Sequence, residues 1–104
     1  MSTEINEDTF DEETANGWVV VDCYTANCGP CKKVKVDLPE VESELPDISF
    51  ATLDCISNPS VAQKFGVMSV PTFVIMHDGK IVTKFTGYTG KDNLVEKIKN
   101  FTEE

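Results

Sequence analysis

The chain predicts an α/β fold: three layers, α/β/α, around a central mixed sheet, with elements in the order β-α-β-α-β-α-β-β-α. Three observations carry this expectation. The run Trp18-Val19-Val20-Val21-Asp22-Cys23-Tyr24 is almost wholly apolar and β-branched, as a strand covered by helices on both faces must be. Strand-like and helix-like segments alternate along most of the chain, which right-handed crossovers turn into parallel neighbours. Asp78-Gly79 then separates two strand-like runs, a two-residue loop that closes a tight antiparallel hairpin. At 104 residues the chain is expected to be one domain, residues 1–104, with a single core.

Taken in order, Thr3 to Ile5 reads as a short strand, and Asn6 as the cap of a helix running to about Ala15, stopped by Asn16-Gly17. Trp18 to Tyr24 follows as the central strand. A second helix is expected from Pro30 to about Glu44, with Val34, Leu38, Val41 and Leu45 spaced by four, three and four residues as its core stripe. Pro39 lies inside it and meets the carbonyl of Lys35, which predicts a bend. Ile48 to Asp54 is the next strand. Asn58 as N-cap and Pro59 at the first helical position open a short helix through Phe65, ended by Gly66. Thr72 to His77 and Lys80 to Phe85 form the hairpin. Thr89 with Asp92 three residues on resembles a capping box for a last helix whose Leu94, Val95, Ile98 and Phe101 face inward. No repeat, linker or low-complexity segment appears.

Sheets of this kind carry their sites at the carboxyl ends of strands, and the loop after Tyr24 holds Cys28-Gly29-Pro30-Cys31. Residues at i and i+3 share one face of a helical turn, with β-carbons about 5–6 Å apart, and a disulfide needs about 3.5–4.5 Å. A small adjustment therefore makes or breaks the bond. Pro30 is tolerated only in the first turn of a helix, and Gly29 lets the chain turn in from the loop. Cys28 then sits at a helix N-terminus, where free N–H groups and the positive dipole end favour a thiolate, and Lys32 and Lys33 add positive charge. Cys28 is the expected attacking sulfur and Cys31 the resolving one. Asp22 lies within the apolar strand, where desolvation raises a carboxyl pKa and suits it to take the proton from Cys31. The C-x-x-C spacing alone is also half of a zinc site.

Cys28-Gly29-Pro30-Cys31 resembles the active site of the thioredoxin family. Asp22, six residues before Cys28, matches that family's buried aspartate, Val70-Pro71-Thr72 its cis-proline loop, and Gly87 its glycine near the end of the last strand. The likeness runs from about Ile5 to the final helix. It implies the thioredoxin fold and a thiol–disulfide oxidoreductase that reduces protein disulfides, Gly29-Pro30 resembling the reducing members. It further implies a cytoplasmic monomer with no bound cofactor and no metal, re-reduced by a flavoprotein thioredoxin reductase that draws electrons from NADPH. Its partners would be that reductase and disulfide-containing proteins. Cis geometry at Pro71 would bring the Val70 backbone beside Cys28 to pair with an extended substrate, and Gly87 would leave room for the same peptide.

Three positions depart from the family pattern. Asn27 stands where a tryptophan is usual, removing apolar docking surface. Val36 stands where the helix proline is usual, so that the bend moves to Pro39. Thr52 stands where a lysine often faces the aspartate, so the charge balance there is expected to differ.

Nine lysines, no arginine and a net charge of −9 argue against nucleic acid or an acidic membrane as partner. No apolar run approaches the ~18 residues of a membrane span, and the acidic first fifteen residues do not read as a secretory signal. Four cysteines in a reducing compartment are expected to be catalytic, metal-bound or free. Cys23 faces away from Asp22 as a small buried hydrophobe. Cys55, just past a strand end, is a second candidate thiol, expected exposed near Cys28. His77 reads as a surface strand residue. Two rivals to the enzyme remain: a non-catalytic module holding a partner on the Cys28 and Pro71 surface, and zinc or iron–sulfur binding, which needs more ligands than this pair supplies, since neither Cys23 nor Cys55 has matching spacing.

Overall fold

The computed structural model describes residues 2–102. Five strands, β1 (Thr3–Ile5), β2 (Trp18–Tyr24), β3 (Ser49–Asp54), β4 (Thr72–His77) and β5 (Lys80–Thr86), form one sheet in the order β1-β3-β2-β4-β5. The pairs β1/β3 and β2/β3 are parallel, whereas β2/β4 and β4/β5 are antiparallel, so the sheet is mixed as the sequence predicts. Helices α1 (Phe10–Glu13), α2 (Gly29–Glu44), α3 (Pro59–Phe65) and α4 (Lys91–Thr102) complete the element order. This is the thioredoxin fold.

Alternation along β2 sorts the core into two halves. Val20 packs with Val34, Leu38, Val41, Leu45, Leu94 and Ile98 on the side of α2 and α4, and Val19, Val21 and Cys23 pack with Phe10, Val61 and Phe65 on the side of α1 and α3. Both faces of the central strand are dry, which explains its continuous apolar run. The four-three-four stripe of α2 is buried throughout, and the helix continues across Pro39. In the hairpin, Asp78 and Gly79 adopt φ of 50° and 83°, the left-handed pair that a two-residue hairpin turn requires.

Two local readings are corrected and one is refined. The first helix is a single turn opened by Thr9, not a helix from Asn6 to Ala15. The Asn6 side chain instead accepts from the Asp8 and Thr9 N–H groups, a local turn that competes with helix. Asn58 is the N-cap of α3 as read, but its side chain makes no capping bond: its Oδ1 accepts from the distant Glu7 N–H and its amide donates to the Asp54 carbonyl, so it ties the segment before α1 to the end of β3. Phe101 is 44% exposed, and Thr102 turns inward in its place, donating to the Ile98 carbonyl.

Candidate active site

Cys28 has extended backbone and is the N-cap of α2, with Gly29 and Pro30 forming the helix start. That places the second sulfur one turn along, and Cys28 and Cys31 form a disulfide with Cα atoms 5.2 Å apart. The Cys31 N–H donates to the Cys28 sulfur at 3.1 Å. This helix start therefore aims one of its unpaired N–H groups at Cys28, where an anion gains from both the hydrogen bond and the dipole. Cys28 keeps 9% of its surface and Cys31 5%, with Asn27, Gly29 and Pro30 exposed beside Cys28. Both cysteines are buried, Cys28 slightly less so and flanked by exposed residues.

Asp22 is buried at 4% exposure, and its Oδ1 has no hydrogen-bond partner. Burial, and then the charge of Glu4, push its carboxyl up to about 7. It shares with Cys31 the wall of an open cleft of about 670 Å³ between the sheet and α2, to which Lys35 and Pro39 also contribute. A carboxyl with one unpartnered oxygen and a near-neutral pKa, opening on the same cleft as a sulfur, is chemically equipped to accept and return a proton.

The Val70-Pro71 peptide is cis. Thr72 pairs with Cys23 across β4 and β2, so Val70 and Pro71 lead into β4 at the sheet end where β2 delivers Cys28. The Gly87 N–H donates to the Pro71 carbonyl at 2.9 Å, which fixes Gly87 beside the cis loop. Its φ of 90° demands glycine, and a Cβ there would meet nothing within 4 Å. The backbone shape, more than crowding, selects that residue.

The other two cysteines lie elsewhere. Cys55 follows β3, with its N–H bonded to the Tyr24 carbonyl at 2.9 Å, and it packs half-buried against the α1/α3 side of the core, to which Cys23 belongs. Both are free thiols. The Cys23 and Cys55 thiols act on each other, raising the pKa of Cys23 and lowering that of Cys55, while each donates to the carbonyl two residues before it. The expectation of Cys55 as an exposed neighbour of Cys28 gives way to a half-buried neighbour of Cys23. His77 is exposed on its strand and stacks on Trp18 with ring centroids 4.2 Å apart.

One participant was not visible in the sequence. Glu4 of β1 pairs with Thr52, which pairs with Asp22, so the three form one row across the sheet, on the side facing α2. Thr52 Oγ1 donates to Glu4 Oε1 at 2.5 Å and the Tyr24 hydroxyl to Oε2 at 3.0 Å. Ile5 pointing into the opposite half of the core was the one available signal, because it turns Glu4 toward α2.

The Thioredoxin family model matches residues 1–100. The chain belongs to the thioredoxin family. Among its relatives, the thioredoxin of Listeria monocytogenes is 37% identical over 97% of this chain and 99% of its own length. That of Chlamydia muridarum is 38% identical over 90% and 92%. The solved structure of a mutant thioredoxin from Halobacterium salinarum superposes with a TM-score of 0.85 at 30% identity, over 99% of this chain and 92% of that one. With family membership and a bonded Cys28–Cys31 pair, this thioredoxin-family chain is a thiol–disulfide oxidoreductase. Among the described residues, no group of three or more His, Cys, Asp or Glu is arranged to hold a metal ion, and no helix is long and apolar enough to cross a membrane.

Proposed function

We propose that the chain, acting as one domain, reduces protein disulfides with Cys28 as nucleophile, Cys31 as resolving thiol and Asp22 as the base. The observation that carries this reading is the Cys28–Cys31 disulfide at the N-terminus of α2, with the Cys31 N–H directed at the Cys28 sulfur. In the reduced protein the Cys28 thiolate attacks one sulfur of a substrate disulfide, forming a Cys28–substrate bond and releasing the other substrate sulfur as thiolate. Cys31 passes its proton to Asp22 and attacks Cys28; the Cys28–Cys31 bond forms, and the second substrate sulfur leaves. The substrate gains two electrons and this pair loses two. Because Cys31 is tethered one turn away, the second step is intramolecular and fast.

Gly29 and Pro30 shape the loop that presents Cys28. Asn27, the Val70 backbone, Pro71 and Gly87 are assigned to substrate docking, supported by their position at the same sheet end and by the Gly87 to Pro71 hydrogen bond. A polar residue at 27, exposed beside Cys28, fits partner choice set by hydrogen bonding more than by apolar contact. Re-reduction is assigned to a flavoprotein thioredoxin reductase fed by NADPH, and the setting to the cytoplasm, with the protein a monomer and no cofactor bound. These assignments follow the family.

The test is reduction of insulin disulfides with a dithiol donor, comparing the parent protein with Cys28→Ser. The variant is expected to fall to the rate of the donor alone; equal rates would overturn the proposal.

A further inference from the structure

The geometry points to Glu4 as a positioning residue for the second chemical step, acting on Asp22 from the outer end of the Glu4, Thr52, Asp22 row. This rests on the reading of Asp22 as the base for Cys31. Two hydroxyls, Thr52 Oγ1 and Tyr24 OH, each bond a different oxygen of the Glu4 carboxylate, so an exposed glutamate is held in one place at the cleft mouth. Asp22 at the inner end has an orphaned Oδ1 and so no hydrogen-bond donor there to favour its ionised form. A fixed negative charge two strands away favours its protonated form further.

Other charged groups line the same cleft. Lys32, Lys35 and Glu42 come from α2, and Asp54 from β3, while the β4 neighbour of Asp22 is the uncharged Phe73. The charge of Glu4 adds to burial in raising the Asp22 pKa. After Cys31 has given up its proton, the same field keeps that proton on Asp22 and away from the departing thiolate. The cleft then offers it a way out to solvent past the mouth.

Two strand spacings are about 10 Å, and with an effective dielectric of about 20 and about one Debye length of salt the interaction corresponds to a shift of about 0.4 pH unit. The experiment follows the Asp22 side-chain carboxyl by carbon-13 NMR against pH in the reduced protein. In parallel it measures the pH profile of resolution of a preformed Cys28 mixed disulfide. Glu4→Gln is expected to lower both midpoints by that amount, and to leave the slowed profile of Asp22→Asn unchanged when the two are combined. Raising salt from about 0.05 to about 0.5 M should lower the Asp22 midpoint of the parent protein in the same direction, and by less in Glu4→Gln.

An Asp22 midpoint that Glu4→Gln leaves unmoved overturns the role of Glu4, even where Asp22→Asn slows resolution and so upholds Asp22 as base. A midpoint that moves while the resolution profile stays fixed also overturns it. A normal profile in Asp22→Asn is a separate failure, that of the base itself.

Discussion

The chain carries two pairs of neighbouring cysteines, on opposite sides of β2, and only one is built to exchange electrons with a substrate. Cys28 and Cys31 lie at the start of a helix, bonded to each other, with an N–H aimed at the leading sulfur and a buried carboxyl sharing the cleft of the second. Cys23 and Cys55 lie at strand ends against the α1/α3 half of the core, Cys23 fully buried. The two Cys23/Cys55 thiols adjust each other's pKa in opposite directions, but neither has a helix terminus to favour its anion or a base to resolve it. The difference teaches that sulfur proximity is not enough; what matters is which backbone groups and which carboxyl the fold sets beside it.

The largest effect that would sharpen this contrast is on trapping. With Cys31→Ser, a protein disulfide substrate should remain covalently attached to Cys28, with multiple turnover lost by roughly three orders of magnitude or more because the intramolecular step is gone. Mass spectrometry of the adduct checks it. The double variant Cys23→Ala, Cys55→Ser should turn over like the parent and trap nothing. Loss of turnover in that variant without loss of folding would break the contrast.

Next in size is the cost of the buried carboxyl. The Asp22 pKa is raised from 3.8 to about 7, so the folded state binds this proton more tightly than the unfolded chain. The associated stability is fully present below about pH 4 and lost as pH rises through about 7. The ionised form thus costs on the order of 4 kcal/mol at alkaline pH. Asp22→Asn should therefore be more stable than the parent by about 2–4 kcal/mol at about pH 8, the gap closing as pH falls toward about 4. Urea unfolding at the two pH values measures it. A gap independent of pH would mean that Asp22 is not the titrating group.

The smallest effect separates the two free thiols. Cys23→Ser places a hydroxyl in a site with no exposure and should cost about 1–3 kcal/mol, whereas Cys55→Ser, half-buried, should cost about 0.5 kcal/mol or less. Thermal unfolding checks both. In native protein, Cys55 should label with a thiol reagent well before Cys23.

Much of this contrast was legible in the residues. The dry strand, the α2 stripe, the Asp78-Gly79 turn and the helix start at Gly29-Pro30 are local signals, and each matches the structure because one element's own period or turn chemistry dictates it. Readings failed, or fell short, where a distant partner decides. Asn58 is the N-cap of α3 as its sequence suggests, but its side-chain oxygen goes to the Glu7 N–H, 51 positions away, and not to its own helix. Phe101 fits an inward stripe by spacing, yet the last turn of α4 buries Thr102 instead. Thr52 signalled an altered charge balance beside Asp22, but not that Glu4 would supply the charge. That depends on the β1/β3 register, which no short-range pattern encodes. The site residues themselves were named from motif and resemblance. The structure adds the orphaned Oδ1 of Asp22, the bond between Gly87 and Pro71, and the placement of Cys55 with Cys23.

The central claim is that the start of α2 holds Cys28 as a thiolate near neutral pH. The most direct measurement is the rate of alkylation of Cys28 against pH in the reduced protein, with the modified residue located by mass spectrometry. Helix-start cysteines titrate between about 3.5 and 7.5, a lowering for which thioredoxins are themselves an established case, against about 8.5 for a free cysteine. Cys28 is expected to react first, with a midpoint below about 7.5. A midpoint near about 8.5, or faster reaction at Cys55, would contradict it.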